Sequence, residues 1–285
     1  MRAGSTVLLS VFLFLQNPQA PPPPPMTVDK IAEDFYVVRG EGGNTSVYVA
    51  NDGILLVDPK FERNHDELVA KVKGISTKPI KYVVDTHAHG DHTGGNLKLA
   101  PAVIVGHKNV RAAMIKGKLP GVPQVTYSDE IRIAQADKEV IGYHFGRCHT
   151  DGDTFVYFPA LRVLATGDCI TTGNGQGEPN PPTSSRINID YNNGGSLREA
   201  IKTVEQVLKV DFDTVVPGHG PLVKKADIAR WHQGLQRLQT RVSAALREGK
   251  GKQDVSDILV KEFEWDATGN PLRNVLDGLM VELKP

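Results

Sequence analysis

The chain has 285 residues, of which 40% are hydrophobic and 23% are charged. This composition is ordinary for a globular protein and allows a sizeable core without disulfide staples. Lys and Arg together number 33, as do Asp and Glu, and the sequence contains no basic run. No overall field draws the chain towards nucleic acid or an anionic membrane, so we expect neither as a partner.

The first 20 residues differ from the rest of the chain. Arg2 supplies a positive charge, residues 7–15 form an apolar stretch, and Ala20 precedes a candidate cleavage point. Because the stretch is too short to span a bilayer, we predict a signal peptide over residues 1–20 and a periplasmic or secreted protein without stable membrane association after its removal. A short uncleaved anchor is the alternative. Residues 21–25 are all proline, which predicts a stiff linker, and the folded domain then covers 26–285.

Hydrophobic patterns predict alternating blocks of strands and helices. The predicted strands are 35–39, 45–50, 53–58, 80–84, 102–105, 130–133, 138–145, 154–158, 161–166 and 214–216. The predicted helices are 63–73, 93–99, 107–116, 197–209, 225–248 and 253–263. Asn51-Asp52-Gly53 predicts a hairpin turn, and Ser196 with Glu199 predicts a capping box. Two strand-rich blocks, each followed by helices, indicate a layered α/β protein.

A histidine-rich loop follows the predicted strand 80–84. Residues 85–95 are Asp-Thr-His-Ala-His-Gly-Asp-His-Thr-Gly-Gly. Imidazole nitrogen and carboxylate oxygen are the ligands that Zn²⁺ prefers where thiolates are absent. His87 and His89 lie two positions apart, so they point the same way in an extended segment, while a glycine turn lets Asp91 and its neighbouring His face a second position. This loop therefore predicts ligands for two metal ions, whereas a lone His would indicate only a solvated loop.

Three further residues lie where strands end. His149 occurs in Cys-His-Thr-Asp-Gly-Asp, Asp168 in Thr-Gly-Asp and His219 in Pro-Gly-His-Gly. With the His-x-His-x-Asp-His motif, in this order, they resemble the signature of the metallo-β-lactamase fold superfamily over roughly residues 28–245. The resemblance implies a four-layer αβ/βα sandwich with the site at one edge between the sheets.

The same resemblance implies two Zn²⁺ ions per chain, although Fe or Mn would be tolerated by nitrogen and oxygen ligands. The first metal site would consist of His87, His89 and His149, the second of Asp91, His92 and His219, and Asp168 would bridge them. The implied function is a secreted dinuclear zinc hydrolase that cleaves an ester, lactone, thioester or amide bond through a metal-bridging hydroxide. Asp91 would be the catalytic residue that orients the nucleophile and later passes its proton to the leaving group.

A zinc-dependent β-lactamase is the alternative function. Residues 149–159 resemble secreted zinc β-lactamases of the cysteine-ligand type, but Asp168 stands where those enzymes have their cysteine ligand. Thr171 stands where they usually carry the lysine that pairs with the antibiotic carboxylate, and Arg186 is the candidate substrate-binding residue in its place. The bridging Asp instead resembles glyoxalase-like thioesterases and lactonases, except that Asp153 replaces their second histidine.

A mononuclear iron oxygenase is a third possibility, because a member of the superfamily uses only the equivalents of His87, His149 and Asp168. Residues 173–186 have no hydrophobic period, and we expect them to form a flexible wall over the site.

Several neighbouring residues have roles that the sequence leaves open. Cys148 and Cys169 each adjoin a predicted ligand, so on strands their side chains face away from the metals, either as free thiols or as one disulfide. Asp85 is placed either to accept a hydrogen bond from a ligand histidine or to stabilise the strand end. We predict that His107 caps the helix that it opens. We also predict that none of the remaining histidines is a metal ligand, namely His65, His107, His144 and His232.

Overall fold

Two mixed β-sheets form the centre of the structure, a computed structural model that describes residues 24–173, 186–267 and 270–284. The predicted signal peptide and most of the predicted flexible wall lie outside the described residues, as do three of the five linker prolines. None of the helices in the described ranges combines the length and apolar composition that a membrane crossing requires.

The first sheet has seven strands that follow one another in chain order. They are β1 (Thr27–Ala32), β2 (Phe35–Arg39), β3 (Thr45–Ala50), β4 (Gly53–Val57), β5 (Ile80–Asp85), β6 (Val103–His107) and β7 (Val125–Tyr127). Strands β1 to β4 are antiparallel and β4 to β7 are parallel. Ala50 pairs with Gly53 across the predicted Asn-Asp turn, which confirms the hairpin.

The second sheet has six strands in the order β13-β12-β11-β10-β9-β8. They are β8 (Glu130–Gln135), β9 (Lys138–Tyr143), β10 (Phe155–Phe158), β11 (Val163–Ala165), β12 (Thr214–Val216) and β13 (Val223–Lys224). Only β11 and β12 pair in parallel, and they do so because α4 connects them. The parallel pairs place the ends of β5, β11 and β12 at one edge of the two sheets.

Helices cover the outer faces of both sheets. They are α1 (His65–Ile75), α2 (Gly90–Thr93), α3 (Lys108–Lys116), α4 (Leu197–Val207), α5 (Lys225–Arg247), α6 (Lys252–Phe263) and α7 (Asn270–Glu282). Leu68 and Val72 of α1 pack on the first sheet, whereas α4 to α7 pack on the second. Between the sheets, the ring of Phe158 lies edge-on to those of Phe35 and Tyr48, with centroids 4.7 and 5.1 Å away. This arrangement confirms the four-layer α/β sandwich.

The predicted capping box at Ser196 forms only in part. The Ser196 hydroxyl accepts a hydrogen bond from the Glu199 amide at 3.1 Å, as expected. The Ser196 amide, however, donates to the Cys148 carbonyl, and the Glu199 carboxylate binds Lys202 instead. The prediction was therefore right about where α4 begins and wrong about the reciprocal bond. It also missed β1, β7, β13 and α7, of which three are at sheet edges and the last is at the chain end.

Candidate metal centre

The edge of the sandwich collects all seven residues that were predicted as metal ligands. They follow β5, β11 and β12 or lie in the loop between β9 and β10. The first cluster is defined as His87, His89, His149 and Asp168, and the second cluster as Asp91, His92 and His219. Within each cluster the potential ligand atoms all lie within 4.8 Å of one another. The structure thus brings the predicted residues together, and their roles as ligands stay a prediction.

In the first cluster, three imidazole nitrogens converge on one point. Nδ1 of His89 lies 3.2 Å from Nε2 of His87 and 3.0 Å from Nε2 of His149. Oδ2 of Asp168 lies 3.9 Å from the same atom of His149. These are the separations expected of atoms that surround a common ion at about 2 Å.

Hydrogen bonds on the far sides of the rings determine which nitrogens carry protons. Nε2 of His89 donates to the carboxylate of Asp190 at 2.9 Å, and Nδ1 of His149 donates to the carbonyl of Asn188 at 2.8 Å. Since a neutral imidazole has one protonated nitrogen, Nδ1 of His89 and Nε2 of His149 present lone pairs to each other.

The third ring is oriented in the same way. The Thr86 hydroxyl donates to Oδ2 of Asp58 at 2.7 Å, so it can only accept from Nδ1 of His87, 3.0 Å away. Nε2 of His87 is therefore also unprotonated. Three lone pairs that face one another repel unless a cation lies between them, so this donor set fits a metal ion such as Zn²⁺.

The second cluster adjoins the first through a single carboxylate. Oδ1 of Asp168 lies 3.2 Å from Nε2 of His92 and 3.3 Å from Nε2 of His219, while its Oδ2 faces the first cluster. Oδ2 of Asp91 lies 3.1 Å from Nε2 of His219. The two oxygens of Asp168 thus point to different clusters, as a bridging ligand requires.

The surroundings shift the pKa values of the clustered histidines in both directions. Burial lowers the pKa of His89, but the hydrogen bond to Asp190 and the charge of Asp168 outweigh it and raise that pKa. Burial lowers the pKa of His87 well below its usual value and that of His149 to about 4, which keeps both rings in the neutral form that binds metal. Burial also lowers the pKa of His92 and His219, but the charge of Asp168 and neighbouring carboxylates outweighs it and raises the first well above its usual value and the second to about 9. The second cluster therefore attracts positive charge.

The carboxylate that orients the His92 ring is Asp58, not Asp85. Oδ2 of Asp58, at the end of β4, lies 2.7 Å from Nδ1 of His92. The Asp85 carboxylate accepts instead from the Asn96 amide at 2.8 Å. Of the two roles left open for Asp85, the structure supports the structural one. In the sequence, Asp58 stands at the end of an apolar run, as Asp85 does, so the same pattern indicated both residues.

A glycine-containing loop packs directly against the second cluster. A Cβ atom on Gly43 would lie 2.3 Å from the His92 ring, so only glycine fits there. The buried Lys60 ammonium donates to the Gly43 carbonyl at 2.6 Å, and burial lowers the pKa of Lys60 to about 8. Nδ2 of Asn44 donates to the carbonyls of Pro217 and Gly220 on both sides of His219. These contacts hold the second cluster from the side opposite the first.

Cys148 and Cys169 form a disulfide with Cα atoms 5.4 Å apart. Of the two states that the sequence left open, the structure shows the oxidised one. Both residues are buried, and their side chains pack in the core beneath the second sheet, away from the metal ligands beside them.

The four remaining histidines lie outside both clusters of the described residues. Nδ1 of His107 accepts from the Asn109 amide, which confirms that it caps α3, and its ring stacks on that of His144 at 3.9 Å. Nε2 of His232 hydrogen-bonds to the Ile201 carbonyl. His65 is the first residue of α1.

A cavity of about 920 Å³ opens beside the first cluster. Its lining includes His89, His149, Arg147 and Tyr191, together with Val281 and Glu282 of α7. The Glu282 carboxylate accepts from the Tyr191 hydroxyl at 2.7 Å and from the amide of Leu197 at 2.9 Å, so α7 is held as an outer wall of the cavity.

Arg186, the predicted substrate-binding residue, is not part of that lining. Its carbonyl accepts from Nε1 of Trp231, and burial lowers the pKa of its guanidinium against the opposing effect of the charge of Asp266. Arg147 lines the cavity instead, with Nε and Nη2 bonded to the carbonyls of Gly194 and Gly195. Sequence reasoning missed Arg147, which no motif singles out although it lies two residues before His149.

Comparisons with known proteins agree with this geometry. The family model described as the metallo-beta-lactamase superfamily matches residues 38–219. The chain is 23% identical over 242 residues to beta-lactamase-like protein 2 homolog of Caenorhabditis elegans, covering 82% of this chain and 76% of that protein. It is 25% identical over 261 residues to the 2,4-dinitroanisole O-demethylase subunit alpha of Nocardioides sp. (strain JS1661), covering 87% of this chain and 73% of that protein. It is 26% identical over 186 residues to metallo-beta-lactamase type 2 of Bacillus cereus, covering 62% and 66%.

Solved structures show the same fold at lower identity. A metallo-beta-lactamase from Pontibacter korlensis superposes with a TM-score of 0.62 at 20% identity, covering 74% of this chain and 99% of that one. The DIM-1 metallo-beta-lactamase exposed to ceftazidime gives 0.62 at 17% identity, covering 76% and 99%. Because the family model spans well over half of the sequence and contains all seven predicted ligands, the chain belongs to the metallo-beta-lactamase superfamily and is a metal-dependent hydrolase.

Proposed function

We propose that this protein is a secreted dinuclear zinc hydrolase that cleaves an ester, lactone, thioester or amide bond of a small molecule. The observation that carries the proposal is the position of Asp168, whose two carboxylate oxygens face two separate groups of imidazoles. A carboxylate so placed would contribute one oxygen to each of two cations, as the site of a two-metal hydrolase requires.

Bound Zn²⁺ ions would lower the pKa of a water molecule to near neutral and polarise the bond under attack. His87, His89, His149 and Asp168 would hold the first ion, and Asp91, His92 and His219, with Asp168, the second. Only nitrogen and oxygen atoms are offered, so the donor set favours Zn²⁺ and also tolerates Fe or Mn.

Asp91 is the residue best placed to move a proton. Its side chain is 23% exposed, the largest exposure in the second cluster. Burial raises its pKa, but the charges of His92 and the hydrogen bond from His219 outweigh burial and lower the pKa to about 2. An ionised carboxylate at this position can accept a hydrogen bond from the attacking water and orient it, take up the proton that the water loses as it attacks, and then pass this proton to the leaving group.

The substrate would occupy the cavity between the first cluster and α7. There, Arg147 keeps part of its guanidinium available, because only two of its nitrogens bond to carbonyls. Within the described residues no carboxylate forms an ion pair with Arg147. The three carboxylates of the same wall have other partners, since Asp190 and Glu282 each accept several hydrogen bonds and Asp277 pairs with Lys252. A substrate with a negatively charged group suits this wall better than a cationic one.

β-Lactam hydrolysis is the second candidate function. It is favoured by the relatives named as metallo-beta-lactamases and by the fold of the DIM-1 enzyme. Against it, Thr171 stands where the cysteine-ligand enzymes usually carry a lysine, so a β-lactam carboxylate would need another cation. The mononuclear iron oxygenase alternative uses one metal, and it leaves the orientation of His92 by Asp58 without a purpose.

Export from the cytosol is part of the proposal. The disulfide between Cys148 and Cys169 supports it, because such bonds persist in the periplasm and outside cells and are rare in the reducing cytosol. The predicted signal peptide over residues 1–20 would provide the route.

The experiment measures metal content and turnover of the purified protein together. A panel of nitrocefin, an aryl ester, a lactone and a thioester is assayed before and after a chelator, and again after Zn²⁺ or Fe²⁺ is added back. We expect about two Zn²⁺ per chain and chelator-sensitive turnover of one class at about 10⁴ M⁻¹s⁻¹ or more. Nitrocefin as the preferred substrate would establish the β-lactamase alternative. One iron per chain with oxygen consumption would overturn the hydrolase assignment.

A further inference from the structure

We propose that the Cys148–Cys169 disulfide positions the first cluster, so that the affinity of this cluster for a metal ion depends on whether the bond is oxidised. The inference rests on the metal assignment of the proposed function but not on its substrate or reaction. It concerns two residues that are not ligands and touch no substrate cavity among the described residues.

The disulfide joins the chain neighbours of two ligands. Cys148 directly precedes His149, and Cys169 directly follows Asp168. His149 lies in the loop after β9, while Asp168 follows β11. These two strands are separated by β10, so no ladder hydrogen bonds connect them. The crosslink is therefore the direct covalent tie between two loops that must hold one His and one Asp around the same ion.

The loop that carries Cys148 is also connected to His89, through Asp190. The carbonyl of His149 accepts from the Asp190 amide at 2.8 Å, and that of Cys148 accepts from the Ser196 amide at 3.2 Å. The carboxylate of Asp190 in turn orients His89 through the 2.9 Å bond to Nε2. A shift of the Cys148 loop would thus displace two of the four residues in the first cluster, His149 directly and His89 through Asp190.

The second cluster is supported by other contacts. Asp58 orients His92, Lys60 fixes the loop at Gly43, and Asn44 bonds to the carbonyls on both sides of His219. None of these contacts involves the cysteine loops. The Cys169 loop is itself hydrogen-bonded to the His219 loop, because the Gly218 amide donates to the carbonyls of Gly167 and Ile170 and the Thr172 amide donates to the His219 carbonyl. These bonds keep Asp168 beside the second cluster without the disulfide. Loss of the disulfide should therefore weaken the first cluster much more than the second.

Reduction of the bond adds two electrons and two protons, breaks the S–S bond and yields two thiols. Two molecules of reduced glutathione supply the electrons and protons by thiol–disulfide exchange and form one molecule of oxidised glutathione. Because the chain contains only two cysteines, every effect of a reductant on thiols arises from this pair. Linkage makes the coupling reciprocal, so if the bond favours metal binding, bound metal must protect the bond.

The first experiment measures Zn²⁺ affinity by competition with a chromophoric chelator in two single-site backgrounds. His92→Ala leaves the first cluster, and His89→Ala leaves the second. Adding Cys148→Ser with Cys169→Ser should lower the Zn²⁺ affinity of the His92→Ala protein by about tenfold or more, which is the loss typical of removing a residue that positions a metal ligand. In the His89→Ala protein the same pair of substitutions should lower the affinity by less than about threefold. Equal losses in both backgrounds, or no loss in either, would overturn the proposal.

The second experiment keeps the proposal testable if the serine variants fold poorly. Wild-type protein is equilibrated in a glutathione redox buffer with and without saturating Zn²⁺, and thiols are counted after acid quenching and denaturation. We expect Zn²⁺ to shift the ratio of disulfide to dithiol protein by about tenfold towards the disulfide, matching the affinity change, because reciprocity holds at equilibrium. An unchanged ratio would show that the disulfide only stabilises the core. Neither experiment reads hydrolysis, so failure of the proposed reaction would leave both outcomes intact.

Discussion

The carboxylate of Asp58 bonds both to His92 and to Thr86, which directly precedes His87. Its Oδ2 accepts from Nδ1 of His92 and from the Thr86 hydroxyl, each at 2.7 Å, and its Oδ1 accepts from the Thr86 amide at 2.8 Å. Asp58 itself is buried and adopts a left-handed backbone conformation, with φ of 59°. A non-glycine residue in this region is strained, and the three hydrogen bonds offset that strain.

Replacing Asp58 by Asn should weaken the second cluster. The side chain keeps its shape, but an amide NH₂ in place of Oδ2 would face two donors, Nδ1 of His92 and the Thr86 hydroxyl. We expect Zn²⁺ affinity at the second cluster to fall by about 10–100-fold, measured by chelator competition in an Asp58→Asn, His89→Ala protein.

Asp85→Asn is the matched control. Burial raises the pKa of Asp85 well above its usual value, which favours the neutral acid, and its carboxylate bonds to Asn96, not to a ligand. The substitution therefore removes little charge. It should leave the Zn²⁺ affinity of the second cluster within about threefold of the unsubstituted protein, well below the loss expected for Asp58→Asn. Comparable losses in the two variants would mean that Asp58 acts through general stability and not through His92.

The site was largely predictable because its ligands are local in sequence or lie at strand ends. Four of the seven occur in six consecutive positions, His87 to His92, and Asp168 and His219 follow short apolar runs. Parallel pairing of β11 with β12 then brings those ends together. A hydrophobic pattern determines strands and their ends, and this is enough to place side chains that immediately follow them.

The contacts that position the ligands could not be predicted in the same way. Asp190 reaches His89 across 101 residues, and Glu282 reaches Tyr191 across 91. Nothing in the local pattern near Glu282 indicates that α7 closes the cavity wall. Such pairs depend on how the layers of the fold pack on one another. The hydrophobic periodicity of a helix or strand shows which way a side chain points, but not which residue of a distant element it contacts. The cysteines show the same limit, since alternation gave their direction but not their pairing.

Asp168→Ala should reduce the number of bound metal ions. This residue contributes one oxygen to each cluster, so its loss removes a negative charge from both. We expect Zn²⁺ content, by elemental analysis, to fall from about two ions to one or fewer, and turnover to fall by more than about 100-fold, because even outer-shell changes cost about 10–100-fold. His65→Ala, outside both clusters, should retain two ions. A variant that kept two ions would disprove the bridging role.

Arg147→Gln should select against anionic substrates. The structure places this guanidinium in the cavity wall without a carboxylate partner among the described residues. For a carboxylate-bearing substrate we expect KM to rise about tenfold or more, since a hydrogen bond to a charged group contributes about 1.5–3 kcal/mol. A neutral ester of similar size should be unaffected. Arg186→Gln is the matched variant, and a KM effect there instead would favour the sequence-based expectation for Arg186.

His107→Asn should make the stability of the protein less dependent on pH. Burial and the nearby His144 lower the pKa of His107 to about 4, against 6.5 for an ordinary histidine. Between these values the unfolded chain binds more protons than the folded one, so this group's stabilising contribution is complete above pH 6.5 and is lost as pH falls towards 4, at no more than about 1.4 kcal/mol per pH unit. Asn can still cap α3 but does not titrate in this range. Urea unfolding of the metal-free proteins should therefore show that the variant loses less stability than the wild type between pH 7 and pH 5. Between pH 7 and pH 8 the stabilities of the two proteins should change in parallel. If the variant and the wild type lose the same stability between pH 7 and pH 5, the acid sensitivity arises from other groups.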